Sequence, residues 1–201
     1  MLIGMEDFIY SIPRQFHDKI NLAHALAEFL MVKDKKTYVH SQNVADLCLK
    51  LCDRLNLETK RKIDIYVAAL LHDIGKIGIE DAILRNPGDL TDDEYLNIKK
   101  HPIVGQHLVC RFPGMEDTGR IIRHHHEKYD GSGYPDHLTG NEIPYESRMI
   151  AVSDAYHSMV ERSYSKYRDK FSALSEIRKK TGTQFDTEIA ESFIESSEIF
   201  R

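Results

Sequence analysis

Two apolar stripes at helical spacing follow each other between Val44 and Leu71, and the second runs directly into His72-Asp73-Ile74-Gly75-Lys76. Val44, Ala45, Leu47, Cys48, Leu51, Cys52 and Leu55 recur three and four apart, which predicts a helix over roughly Thr37 to Leu55. Lys60 to Leu71 predicts the next one, and its last turns (Val67-Ala68-Ala69-Leu70-Leu71) are apolar all round, so they are buried. A buried helix that ends in His-Asp delivers polar ligands to the edge of the core. Imidazole and carboxylate side by side can meet one metal ion, and the carboxylate has a second oxygen for another. Gly75 then breaks the helix and Lys76 adds a cation that attracts phosphate. A His-Asp pair alone is common by chance, so its partners elsewhere decide its meaning.

The rest of the chain repeats the helical period. Leu22, Ala25, Leu26, Phe29 and Leu30 predict a leading helix over Ile20 to Val32. Asn86-Pro87-Gly88-Asp89 is a turn, and Thr91 with Glu94 makes a capping box for a helix to about Lys100. His101-Pro102 marks a boundary, because the residue before Pro avoids helical geometry and Pro suits the start of a new helix. Further helices are expected over Thr118 to Glu127, Tyr145 to Ser158, Phe171 to Lys179 and Asp186 to Phe200. No alternating β-branched run qualifies as a strand. The expected fold is an all-α helical bundle, with residues 1–19 as an N-terminal segment and 20–201 as one domain.

Composition excludes several classes. A net charge of −5 argues against a general nucleic-acid binder. No apolar run approaches the ~20 residues of a membrane span, and Met1 to Tyr10 lacks a signal peptide's basic start. Cys48 and Cys52 sit on the helical stripe as core residues, and with Cys110 they make no disulfide framework. A cytoplasmic protein is expected.

Eleven histidines are the compositional signal for metal. His101 falls at a kink where a side chain can enter a cleft. His124-His125-His126 ends a helix, where neighbours point about 100° apart, so two can share a site and the third is a bystander. Asp130-Gly131-Ser132-Gly133-Tyr134-Pro135 is a Gly-rich loop able to approach a ligand. Asp154 interrupts an apolar helix (Met149, Ile150, Ala151, Val152, Ala155) and is costly there unless paired or metal-bound. Taken alone, His40 reads as surface or capping; His17, His24, His107, His124, His137 and His157 read as surface residues, caps or supports behind the ligands, and of these His124 and His157 lie near candidate ligands.

The order His40, His72-Asp73, His101-Pro102, His125-His126-Glu127, Gly133-Tyr134-Pro135, Asp154 resembles the HD-GYP family, a group of HD metal-dependent phosphohydrolases that act on cyclic di-GMP. Gly182-Thr183-Gln184-Phe185-Asp186 resembles another family block, and the likeness extends over residues 20 to 195. It implies that His40, His72, Asp73, His101, His125, His126 and Asp154 ligate two divalent ions, with Asp73 bridging. Lys76 then contacts the substrate phosphate, Arg148 and Arg162 line the substrate cleft, and Tyr134 belongs to the loop beside the site, where a signalling partner is also able to dock. Five imidazoles and two carboxylates without thiolate suit iron or manganese at least as well as zinc. Water shared by two ions is acidified, and the resulting hydroxide opens the phosphodiester to 5′-phosphoguanylyl guanosine or GMP.

Three departures qualify that expectation. Lys36 stands where some members carry a Glu that helps hold a third metal, so a two-metal site is expected. Glu161-Arg162-Ser163-Tyr164-Ser165 replaces a more usual Asp-Arg-Pro-Tyr-Arg segment. No receiver, sensor or membrane domain is expected beside the helices. Competing readings are another cyclic dinucleotide or a nucleotide as substrate, or an inactive module that binds nucleotide or a partner protein.

Overall fold

A computed structural model describes residues 8–9, 12–84, 86, 88–162 and 170–196. These form an all-α bundle: α1 His17–Lys33, α2 Lys35–Arg54, α3 Thr59–Leu71, α4 Asp81–Leu84, α5 Asp92–Ile98, α6 His101–Val109, α7 Glu116–Arg123, α8 Tyr145–Arg162, α9 Lys170–Lys180 and α10 Thr187–Glu195. Short 3-10 turns precede α1 (Arg14–Phe16), follow α3 (Ile74–Gly78) and precede α8 (Gly140–Glu142). Among the described residues, extended pairing is limited to the isolated bridges Asp130–Thr139 and Thr181–Phe185. No helix among them is long and apolar enough to cross a membrane.

The core sits where the sequence stripes place it. Helix α3 is central: Ile63, Ile65, Tyr66, Val67, Ala68, Ala69 and Leu71 are fully excluded from solvent, and the helix packs on α1, α2, α7 and α8. Val44, Leu51, Cys48 and Cys52 of α2 face it, and both cysteines are buried and unpaired. Each large aliphatic side chain so buried contributes about 1.5–3 kcal/mol, which offsets the cost of ordering polar groups at the end of α3.

Local chemistry sets the helix ends. Asp34 caps α2, accepting from the Lys36 amide (3.1 Å) and the Thr37 hydroxyl (2.6 Å). The Thr91–Glu94 capping box is present at α5. Helix α6 begins at His101 with Pro102 in its first turn, as the His-Pro boundary predicts. Helix α7 stops at Arg123 rather than continuing to Glu127. The Ile121 carbonyl accepts from the Ser147 hydroxyl (2.8 Å) and the Ile122 carbonyl from the His125 ring (2.6 Å), so both face side chains where another helical turn would begin. The three histidines therefore lie in a turn, not on a helix. The leading helix begins at His17, earlier than Ile20, and Phe8 and Ile12 join the core. Phe200, the expected end of the last helix, lies outside the described residues, as does the 163–169 segment.

Candidate metal centre

Seven side chains expected at one site come from five places in the fold. Helix α2 supplies His40, the end of α3 supplies His72 and Asp73, the start of α6 supplies His101, the turn after α7 supplies His125 and His126, and α8 supplies Asp154. The 3-10 turn carrying Gly75 is held against α6: a Cβ on Gly75 would lie 2.0 Å from the His101 carbonyl oxygen. Only glycine lets these two ligand-bearing segments touch. Gly133 does the same for the loop, since a Cβ there would lie 2.2 Å from the Lys128 nitrogen. The loop is further held by the Tyr129 amide donating to the Gln184 carbonyl (3.2 Å) and the Asp130 amide to the Thr183 carbonyl (2.8 Å).

Two compact donor groups result. His101, His125 and His126 form one; His40, His72 and Asp73 form the other, with every ligand atom in each group within 4.8 Å of its companions. Asp73 lies between them: its Oδ1 is 3.3 Å from His101 Nε2 and its Oδ2 is 3.4 Å from His72 Nε2. His40 Nε2 lies 2.9 Å from Asp154 Oδ1, which also accepts from the Ser158 hydroxyl (3.2 Å).

The tautomers follow from the hydrogen bonds. A carbonyl only accepts, so an imidazole nitrogen facing one carries the proton. Nδ1 of His72 donates to Ala69 (2.7 Å), that of His101 to Ile98 (2.7 Å) and that of His125 to Ile122 (2.6 Å). Each acceptor is a carbonyl in a last helical turn, where backbone acceptors are spare. In the neutral rings Nε2 is then a lone pair. Yet His101 Nε2 and His125 Nε2 face each other at 3.3 Å, and His72 Nε2 faces an Asp73 oxygen. Converging lone pairs and carboxylate oxygens repel unless a cation lies between them.

Protons do not fill that role. Burial, reinforced by the His126 and Lys76 charges, takes His101 down to about 3 against the pull of Asp73. Burial takes His126 to about 4, and His125 falls well below its ordinary value for the same reason. These rings stay neutral and available as ligands near pH 7. Burial alone would raise the Asp73 carboxyl, but the Lys76 ammonium and the surrounding imidazoles hold it well below the usual range. Against its burial, Asp154 is kept ionised chiefly by the hydrogen bond from His40. For His40, burial lowers the ring and Asp154 more than reverses it, so the ring is raised. Neutral imidazoles and ionised carboxylates are the protonation states that divalent cations require, and the donor set fits such ions.

Above the centre lies a cleft of about 600 Å³, within the range of small-molecule sites. Asp34, Asp73, Glu127, Asp154 and Glu161 line it against Lys36, Lys76 and Lys128. Acids outnumber lysines, so bound cations are needed before the cleft attracts an anion. The Lys76 ammonium donates to Asp73 Oδ2 (2.7 Å). Tyr134 lines the cleft and its ring lies against His126 (5.0 Å between centroids), with the Lys99 ammonium over the Tyr134 ring, 4.5 Å from its centroid.

Arg148 is placed differently from the expectation. It does not line the cleft; its guanidinium donates to Asn141 (3.0 Å) and to Asp186, the residue that caps α10. Helix α8 turns it towards the α10 cap, and the buried carboxylate there holds it. The Arg162 side chain lies outside the described residues. His124 is the bystander among the three histidines, held by Asp136 at 2.9 Å. His157, singled out in sequence as lying near candidate ligands, sits against His40, and so does Glu161, which the sequence did not single out as part of the site. Their signal was helical spacing, three and seven residues after Asp154 on α8.

A model of the HD domain family matches residues 24–189. The chain belongs to the HD domain family. Its Gly133-Tyr134-Pro135 loop and its relatives put it in the HD-GYP group. It is 33% identical over 94% of its length to a cyclic di-GMP phosphodiesterase of Thermotoga maritima and covers 50% of that protein. It is 35% identical over 71% of its length to 3'3'-cGAMP-specific phosphodiesterase 1 of Vibrio cholerae, covering 33% of it. The chain thus spans half or less of these curated relatives. Its fold is similar to the PgpH phosphodiesterase HD domain of Listeria monocytogenes, solved in complex with cyclic-di-AMP: TM-score 0.64, 19% identity, 86% of this chain and 92% of that one.

Proposed function

We propose that this HD-GYP domain is a metal-dependent phosphodiesterase that opens cyclic di-GMP to 5′-phosphoguanylyl guanosine, with GMP as a further product. The observation that carries the reading is the pair of imidazoles, His101 and His125, whose Nδ1 atoms are fixed as donors while their Nε2 atoms face each other at 3.3 Å. His101, His125 and His126 would hold one ion and His40, His72 and Asp154 a second, with Asp73, whose oxygens face His101 and His72 separately, serving both. Iron or manganese suits these nitrogen and oxygen donors without thiolate. Bound there, two divalent ions supply Lewis acidity and a water that ionises near neutral pH.

The chain's own groups do the rest. Asp73 and Asp154 stay ionised and fix the net charge of the centre. Lys76 swings from Asp73 to a phosphoryl oxygen, where its ammonium offsets charge that grows as the P–O bond breaks. Tyr134, packed on His126, forms the cleft wall beside the reacting phosphate. The missing Glu at Lys36 favours two ions rather than three.

Relatives named for cyclic di-GMP and for 3'3'-cGAMP match at similar identity, which favours a second reading in which the substrate is another cyclic dinucleotide. The test uses protein purified anaerobically and supplied with ferrous iron or manganese, incubated separately with cyclic di-GMP, 3'3'-cGAMP and cyclic di-AMP, with products separated by chromatography. Linear dinucleotide from cyclic di-GMP, abolished by a chelator, is the expected result. Faster turnover of one of the other two moves the assignment to the second reading. Hydrolysis of none of the three by metal-loaded protein overturns both.

A further inference from the structure

His72, His101 and His125 share one device: each sits at a helix end or turn, and its Nδ1 hydrogen is taken by the carbonyl three residues back. His40 cannot use it. It lies in the body of α2, Lys35–Arg54, where the carbonyls of the preceding turn already serve the helix. In this fold the His40 Nε2 hydrogen goes to the Asp154 carboxylate; once Nε2 turns to an ion instead, the hydrogen moves to Nδ1 and needs an acceptor from another element. Helix α8 supplies one. His157 Nδ1 lies 2.9 Å from His40 Nδ1, and Glu161 Oε2 lies 3.6 Å from the same atom. The two rings are 4.9 Å apart between centroids. Asp154, His157 and Glu161 follow one another at i, i+3 and i+7, so a single face of α8 both contributes a carboxylate to the centre and orients the imidazole beside it.

We infer that His157 is the positioning residue for His40, with the Glu161 carboxylate beside both Nδ1 atoms: when an ion binds, His157 accepts the His40 Nδ1 hydrogen, fixes the tautomer that leaves Nε2 as a lone pair, and thereby sets the affinity of the ion that His40, His72 and Asp154 hold. This deepens the two-metal reading above and rests on it. The three groups are also a donor set in their own right, with ligand atoms within 4.8 Å. One neutral imidazole has a single lone pair, however, and the two uses of His40 exclude each other. The set with His72 and Asp73 is buried throughout, whereas the Glu161 side chain remains 29% exposed, so the inner set retains the ion.

The test is a manganese titration of chelator-stripped protein at pH 7.5, comparing the wild type with His157→Leu, which keeps bulk but cannot accept, and His157→Asn, whose side-chain oxygen accepts from the place of Nδ1. Wild type is expected to bind two ions. His157→Leu is expected to keep one and bind the other about 10–100-fold more weakly, the usual effect of removing a partner of a ligating histidine. His157→Asn is expected to restore most of that loss. His124→Ala, away from the centre, serves as the control for nonspecific damage. Melting curves of the stripped proteins separate a folding defect from a binding defect, and if the Leu variant does not fold, the Asn variant with weakened binding overturns the proposal by itself. Two ions bound by His157→Leu with wild-type affinity overturns it. Three ions in wild type falling to two in His157→Leu also overturns it, because His157 would then be a ligand. No ion in wild type overturns the metal-centre reading instead, and this one with it.

Discussion

Asp73 is the side chain on which both donor groups depend, since its two oxygens face His101 and His72 separately. Replacing it by Ala removes the carboxylate that both groups face and leaves those imidazoles with nothing anionic between them. Asp73→Ala is expected to lose both bound metal and hydrolysis, whereas Lys76→Ala is expected to keep the metal and lose about 10²-fold in rate, the scale of one lost donor to a developing oxyanion. Metal analysis beside an activity assay checks the pair; full activity in a metal-free Asp73→Ala protein would contradict the mechanism. The same groups set a pH dependence. In the stripped protein His101 and His126 titrate near 3 and 4, while in the unfolded chain they titrate near ~6.5. Between those values the unfolded chain binds more protons, so stability falls as pH drops below about 6.5. His40, raised in the folded state, works in the opposite direction, but His125 is lowered with the other two and the three outweigh it. The denaturation midpoint of stripped protein is therefore expected to be lower at pH 5 than at pH 7.5. An unchanged or higher midpoint would show that these rings are not buried as neutral groups.

The helices and turns hold these side chains in place through close backbone approach. The contact of the Gly75 turn with α6 leaves no room for a methyl group. Gly75→Ala is expected to destabilise the fold by about 1–3 kcal/mol and to lower metal content, because relieving the clash moves His101 away from Asp73; thermal melting and metal analysis read the two effects. Arg148 tests a different joint. Its ion pair with Asp186 is nearly buried, with side chains 11% and 9% exposed. Breaking it is expected to cost about 3–5 kcal/mol without changing the affinity of the folded fraction for cyclic di-GMP. Intact stability with selectively lost affinity would return Arg148 to the cleft. These elements also show what the sequence can and cannot reveal. Helices α2 and α3 are legible because burial imposes a 3.6-residue period on Val44 to Leu71, and His101-Pro102 is legible because proline chemistry is local. The end of α7 is not, since it depends on Ser147 and on the ring of His125 meeting carbonyls across the fold. His157 can be placed near Asp154 by helical spacing, but its contact with His40, and that of Glu161, appears only when α2 is packed against α8, and Arg148 cannot be separated from a cleft residue until Asp186 is placed opposite it.

The molecule as a whole joins an apolar bundle to a polar centre at one end of α3. The bundle stabilises the centre: Ile65 to Leu71 are buried almost completely, and that burial carries His72 and Asp73 out of water, His72 donating to the Ala69 carbonyl and Asp73 accepting from Lys76. The ligand order along the chain is readable by resemblance, while the reason for it, convergence of five segments on Asp73, appears only in three dimensions. The measurement that most sharply separates this arrangement from any other is a crystal structure of manganese-loaded protein with anomalous differences recorded at the manganese edge. Two peaks are expected, one among His101, His125 and His126 and one among His40, His72 and Asp154, with an Asp73 oxygen at each. A single peak, or peaks that do not touch Asp73, would contradict it.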